Sequence, residues 1–237
     1  MGWVSGMATS EGEVDGFKRY GLYVVPDGAL FAAGSAWLGW DSVAGASVTQ
    51  PTVSGLDAEA LTATPRKYGF HGTIKPPFAL MDGTNAAGLD AAARWFCAGR
   101  VPVEIPALDI RRLGTFVALV PSAPSEGLAD LAGAAVEALD PFRAPPSEAE
   151  LARRRKPGLS DRQETMLQRW GYPYLREEFR FHMTLTGRTA EAERVCTALA
   201  QHFAPVLPRP FVIESLALMG EDAEGAFHLI HRYPLSG

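Results

Sequence analysis

With only two cysteines in 237 residues, the chain has no disulfide framework, and Cys97 and Cys196 lack the C-x-x-C spacing of a zinc or redox site. Basic charge is also short. Against 27 Asp and Glu there are 22 Lys and Arg, giving a formal net charge of −5. The whole-molecule field therefore disfavours nucleic acid, and any polyanion contact must be local. No apolar run approaches the roughly 18 residues of a membrane span, and the N-terminus has no basic-then-apolar leader pattern. These shortages point to a soluble protein suited to a reducing cytoplasm, with neither metal nor cofactor expected and no membrane partner. What is present is ordinary for a folded chain, 47% hydrophobic and 21% charged, enough for one large domain or two small lobes.

Residues 1–16 are Gly-, Ser- and acid-rich without periodicity and read as a flexible extension, with Met7 as an alternative start. The fold is expected over 17–237. A strand from Arg19 to Pro26 leads into a helix through Trp40, and 41–64 reads as a long irregular loop. Lys67–Lys75 then reads as a strand stopped by Pro76-Pro77. Helical spacing covers Ala86–Ala98 and Leu128–Leu139, either side of a hairpin formed by Val101–Ile110 and Thr115–Val120. The Pro-rich stretch Pro141–Pro146 marks a join between halves. Behind it, the capping boxes Ser147-x-x-Glu150 and Ser160-x-x-Gln163 each open a helix, the second ended by Gly171 and Pro173. Phe179–Gly187 reads as a strand, Ala190–Phe203 as a helix, and Phe211–Met219 with Ala226–Tyr233 as closing strands. The class is α+β.

A comparison of the two halves finds one pattern twice: Phe70-His71-Gly72-Thr73-Ile74 and Phe181-His182-Met183-Thr184-Leu185, their histidines 111 positions apart. Side chains alternate along a strand, so His71, Thr73 and Lys75 should share one face while Phe70, Gly72 and Ile74 anchor the other. Arg180, His182, Thr184 and Thr186 should do likewise in the second copy. The pair implies a cleft to which each half brings an imidazole, a hydroxyl and a cation, a set suited to phosphate. With an unperturbed pKa near 6.5, one imidazole can accept a proton while the other, charged, donates one. Lys75 and Arg180 would stabilise the negative charge that develops when water adds to phosphorus.

With these motifs the sequence resembles the two-histidine (2H) phosphoesterases, related to RNA ligase-like and cyclic phosphodiesterase proteins, over roughly 17–235. The resemblance implies a bilobal, pseudo-twofold fold in which two antiparallel sheets form a central cleft with helices packed outside. It implies His71, Thr73, His182 and Thr184 as the catalytic set. Arg19-Tyr20-Gly21-Leu22-Tyr23, Lys67 to Phe78, Trp170 to Tyr174 and Phe179 to Thr186 are similar to the phosphonate-metabolism branch. That similarity implies hydrolysis of 5-phosphoribosyl 1,2-cyclic phosphate to ribose 1,5-bisphosphate. The residues themselves support a cyclic phosphodiester in general, opened by acid/base chemistry without a metal. A 5-phosphate would need a further cationic subsite, for which Arg19, Arg66, Lys67, Arg111 and Arg112 are candidates; Thr186 joins Lys75, Arg180, Arg19 and Lys67 as a candidate substrate contact. Two other readings stand beside this one: an RNA 2′,3′-cyclic phosphodiesterase or end-joining enzyme, and a non-catalytic module that binds a phosphorylated ligand.

Other signals read as structural. The basic run Arg153-Arg154-Arg155-Lys156 ends a capped helix before Pro157, where cations complement the negative end of the helix dipole. His228 and His231 are three apart in a strand and face opposite sides, and His202 lies in no H-x-T pattern. Trp170, Tyr172 and Tyr174 read as packing beside a Gly-Pro turn. Tyr68 should share the face of Phe70 and belong to the core.

Overall fold

The computed structural model describes residues 14–155 and 158–237; most of the expected N-terminal extension, and the expected helix stop at Pro157, lie outside them. The described chain is α+β, built on a seven-stranded sheet of order β11-β10-β1-β4-β8-β7-β6. Its strands are β1 (Arg19–Val24), β4 (Gly72–Phe78), β6 (Leu108–Leu113), β7 (Phe116–Pro121), β8 (Met183–Thr184), β10 (Ser215–Glu221) and β11 (Phe227–Pro234). Two short ribbons pair β2 (Trp40–Asp41) with β3 (Ala46–Ser47), and β5 (Val103–Ile105) with β9 (Phe211–Ile213). Every pairing among the strands is antiparallel. The sheet is two antiparallel halves, β11-β10-β1-β4 and β8-β7-β6, joined where Gly72 pairs with Met183.

The helices are α1 (Gly28–Leu38), α2 (Ala58–Thr62), α3 (Ala86–Ala98), α4 (Glu126–Ala138), α5 (Glu148–Arg155), α6 (Asp161–Trp170) and α7 (Ala192–Phe203). Apolar faces of α1, α3, α4 and α7 meet one face of the sheet in a single core, with Leu22, Ile74, Val117, Leu119, Met183, Leu185 and Leu218 beneath them. The other face carries a smaller cluster of Tyr23, Val25, Ala217, Met219 and Phe227, leaving room there for a site. Phe70 and Phe181 of the two repeated motifs are both core residues. Burying a ring of this size contributes roughly 1.5–3 kcal/mol, which holds each motif in place from below. The indole N–H of Trp37 in α1 donates to the carbonyl of Leu185 at 2.7 Å, tying the first half to the second.

Several boundaries differ from expectation for local reasons. Helix α1 ends before Trp40 because Gly39 takes a left-handed conformation (φ +82°). Segment 41–64 is not irregular throughout: it holds the β2–β3 ribbon and α2, whose N-terminus Asp57 caps by accepting from the N–H of Ala60. Strand β4 starts at Gly72, after a 3-10 turn over Arg66–Tyr68, and runs through Pro76-Pro77. Prolines are tolerated there because β8 pairs with β4 at Gly72 alone, so the later part of β4 behaves as an edge. Both segments read as single closing or hairpin strands, Val101–Ile110 and Phe211–Met219, are split in two, the outer pieces pairing with each other as β5 and β9. The boxed helix α6 and its Gly171 stop (φ +66°) match the sequence reading.

Candidate active site

The pairing of Gly72 with Met183 organises the site. Carried one residue either way, that antiparallel register sets His71 opposite Thr184 and Thr73 opposite His182, so the two H-x-T motifs lie side by side on one sheet face. His71, Thr73, Thr184 and Thr186 line a hollow of about 270 Å³, closed by Tyr23, Tyr68 and Pro77 and by Thr64-Pro65 from the end of the 41–64 segment. That segment is held against the second motif by the N–H of Gly187, which donates to the carbonyl of Leu61 at 2.7 Å. His182 is not among the residues that line this hollow.

Both imidazoles are oriented in the same way. Nδ1 of His71 is 3.0 Å from the carbonyl of Gly69, and Nδ1 of His182 is 2.8 Å from the carbonyl of Arg180, in each case the residue two positions earlier. A carbonyl only accepts, so each Nδ1 carries the hydrogen and Nε2 is the nitrogen left for chemistry. Burial lowers the His71 pKa to about 4; the carbonyl of Gly69 opposes that shift and the charge of His182 adds to it. The His71 ring is therefore uncharged at pH 7. Tyr23 packs edge-on to its ring, centroids 4.5 Å apart.

Several expected site residues are elsewhere engaged. Lys75 does not share the face of His71 and Thr73. Thr73 pairs with Tyr23 but Lys75 pairs with Leu22, so the β1–β4 register slips between them and the bulge turns Lys75 toward the core. Its ammonium, 1% exposed as a residue, donates to the carbonyl of Val136 at 2.9 Å and lies 3.8 Å from Asp140; burial lowers its pKa to about 8. Arg180 precedes β8 in non-strand backbone, and its guanidinium turns outward to the carbonyls of Glu177 and Phe179. The Thr186 hydroxyl borders the hollow but accepts from the N–H of Val117 at 3.0 Å.

Among the candidate cations for a second phosphate, Arg66 is a framework group, donating to Leu38, Gln50, Glu59 and Thr62. Arg111 and Arg112 lie on the outer strand β6, facing Asp109 and Glu193. Lys67 sets its ammonium over the ring of Tyr68, 5.1 Å from its centroid. Arg19 forks onto the buried carboxylate of Glu221 and also borders a second hollow beside the first.

Sequence reasoning missed Tyr23 and Tyr68 as site walls. Tyr68 lies in the 3-10 turn, not in a strand, so the alternation that sent it to the core does not apply. Tyr23 alternates correctly, and the signal for it was Gly21: the Tyr23 ring lies back along β1 over Gly21, where a Cβ would meet the phenol oxygen at 2.6 Å. That oxygen is buried and has no hydrogen-bond partner among the described residues. Among these residues no three of His, Cys, Asp and Glu are grouped closely enough to hold a metal ion, and no helix is long and apolar enough to cross a membrane.

Known proteins resemble this chain at several levels. A protein of Janthinobacterium sp. (strain Marseille) named ribose 1,5-bisphosphate phosphokinase PhnN is 40% identical over 235 residues, covering 94% of this chain and 52% of that protein. One of the same name from Laribacter hongkongensis (strain HLHK9) is 38% identical over 213 residues, covering 88% and 49%. The chain thus spans about half the length of these relatives. Among solved structures, E. coli LigT complexed with 3′-AMP aligns over 93% of this chain and 99% of its own at 13% identity and a TM-score of 0.49. Residues 73–228 match the family model described as "Protein of unknown function (DUF1045)", and the chain belongs to that family.

Proposed function

We propose that this protein hydrolyses a cyclic phosphodiester with His71 and His182 as an acid/base pair, and that its substrate is 5-phosphoribosyl 1,2-cyclic phosphate. The observation that carries the reading is the matched orientation of the two rings, each with Nδ1 on the carbonyl two residues back and Nε2 left free beside a facing threonine. His71, neutral through burial, takes a proton from water at Nε2 as the water oxygen bonds to phosphorus. His182 gives a proton from Nε2 to the departing ring oxygen. Thr73 and Thr184 donate to the non-bridging oxygens, where preorganised donors act most strongly on developing charge. The bond from phosphorus to O2 breaks, phosphate stays on C1, and the product is ribose 1,5-bisphosphate. Neither step requires a metal or cofactor, and 17–237 acts as one unit; its two sheet halves interleave along the chain, so the join expected near 141–146 does not divide them.

The relatives' name supports the choice of substrate. They are named for phosphorylating ribose 1,5-bisphosphate, and this chain matches only about half of each. A P-loop kinase needs Gly-Lys followed by Ser or Thr, and no lysine of this chain follows a glycine. A hydrolase that releases ribose 1,5-bisphosphate would feed such a kinase directly. The test is 31P NMR of 5-phosphoribosyl 1,2-cyclic phosphate with the purified chain in chelator. Conversion to two monoester signals, one on C1, is expected; an unchanged cyclic signal, or turnover only after metal is restored, would overturn the proposal.

A further inference from the structure

Tyr68 and Pro77 line the His71 hollow and also a second one. This second hollow has a volume of about 340 Å³, and its wall also includes Arg19, Arg153, Arg154 and Tyr174. Arg153 and Arg154 are the last-turn cations of α5, the basic run that the sequence reading explained by the helix dipole alone. The dipole accounts for their sign but not for their position beside the site.

The charges in this second hollow do not cancel. Arg19 is matched by Glu221, and Arg154 by Glu150 at 2.8 Å. Arg153 reaches only the same Glu150, at 4.0 Å, and its side chain is 64% exposed. Three guanidiniums against two carboxylates leave one positive charge uncompensated among the described residues. Arg154 is also braced against the ring of Tyr172, 5.6 Å away, which limits the conformational freedom lost on binding. Tyr23, whose buried hydroxyl lacks a partner, belongs to the wall of the first hollow and shares the face of β1 with Arg19, which borders the second.

We infer that Arg153 and Arg154, with Arg19, form a second anion subsite that takes a terminal phosphate of the same substrate molecule whose cyclic phosphate lies at His71. Guanidinium forks match phosphate oxygens in pairs, and a phosphate held there positions the remote end of a small sugar phosphate. This inference rests on the hydrolytic reading and assigns its specificity to α5. One uncompensated charge suits a single terminal phosphate better than a polynucleotide backbone, whose neutralisation takes many cations.

The test compares wild type with Arg153→Ala and Arg154→Ala on ribose 1,2-cyclic phosphate with and without its 5-phosphate, alongside calorimetric titration with ribose 5-phosphate and melting curves. The expected result is a loss of roughly ten- to a hundredfold in kcat/KM for the 5-phosphorylated substrate, no change for the other, and weakened binding of ribose 5-phosphate. Equal losses on both substrates, or ribose 5-phosphate binding equally tight in all three proteins, would overturn the subsite. A preference for an RNA 2′,3′-cyclic end with affinity falling steeply in salt would overturn it too. If wild type turned over neither substrate but bound ribose 5-phosphate in an Arg153-dependent way, the hydrolytic reading would fail and the subsite would stand.

Discussion

A Cβ added to Gly72 would lie 2.3 Å from Cζ of Phe181, so the residue between His71 and Thr73 of the first motif is in contact with the aromatic anchor of the second. The two copies of F-H-x-T are thereby locked ring against backbone at the point where the halves of the sheet join. Gly72→Ala must displace either Phe181 or β4, and overpacking of this kind costs about 1–3 kcal/mol. Denaturant unfolding should show that loss, and activity should fall by more than stability because both histidines move. A variant of unchanged stability and rate would mean the halves are not coupled here.

The two threonines beside the second histidine separate structural from chemical roles. Thr186→Val leaves the buried N–H of Val117 without its partner and should cost about 1–3 kcal/mol of stability. Thr184→Val touches a half-buried hydroxyl facing the hollow and should leave melting nearly unchanged while lowering turnover about tenfold or more. The reverse pattern, measured by melting and steady-state kinetics, would exchange their assignments.

Tyr23→Phe should have opposite effects on fold and function. It removes a buried hydroxyl that has no partner, so stability should hold or rise by up to about 1 kcal/mol. If that hydroxyl binds substrate, KM should rise several-fold. A destabilised variant with unchanged KM would show that the hydroxyl has a structural partner instead.

The pH dependence follows from His71. Its folded pKa of about 4 lies below the unfolded value near 6.5, so the unfolded chain binds more protons between the two. The stability His71 contributes as a neutral ring is complete above pH 6.5 and declines as pH falls toward 4, a slope that His71→Asn should remove. In kinetics, the acid limb of kcat/KM should lie below the ordinary histidine range, while bound anionic substrate, favouring the charged ring, should move the limb of kcat upward. Coincident limbs near pH 6.5 would contradict the burial of the base.

How far the sequence could be read depended on how regular the backbone is. The paired motifs, the helices at Ala86–Ala98 and Asp161–Trp170, and the α+β class were legible because repetition, helical spacing and caps are local signals. Lys75 and Arg180 were misplaced because both assignments assumed uninterrupted alternation. A bulge beside Ile74 turned the first inward, and the strand at the second motif is only Met183–Thr184, so Arg180 lies outside it. Arg153 and Arg154 read as dipole-complementing cations because nothing local shows that the end of α5 shares a hollow with Tyr68, an arrangement made only in the folded chain.

The central claim is that two imidazoles, one from each half, act on one phosphorus. It is tested by single-turnover hydrolysis of 5-phosphoribosyl 1,2-cyclic phosphate by His71→Ala, His182→Ala and the double variant, each checked for an unchanged melting curve. Each single change should lower the rate about 10²–10⁴-fold, and the double variant should be little worse than either, because groups acting in one step are not additive. A folded single variant that keeps the wild-type rate would contradict the account.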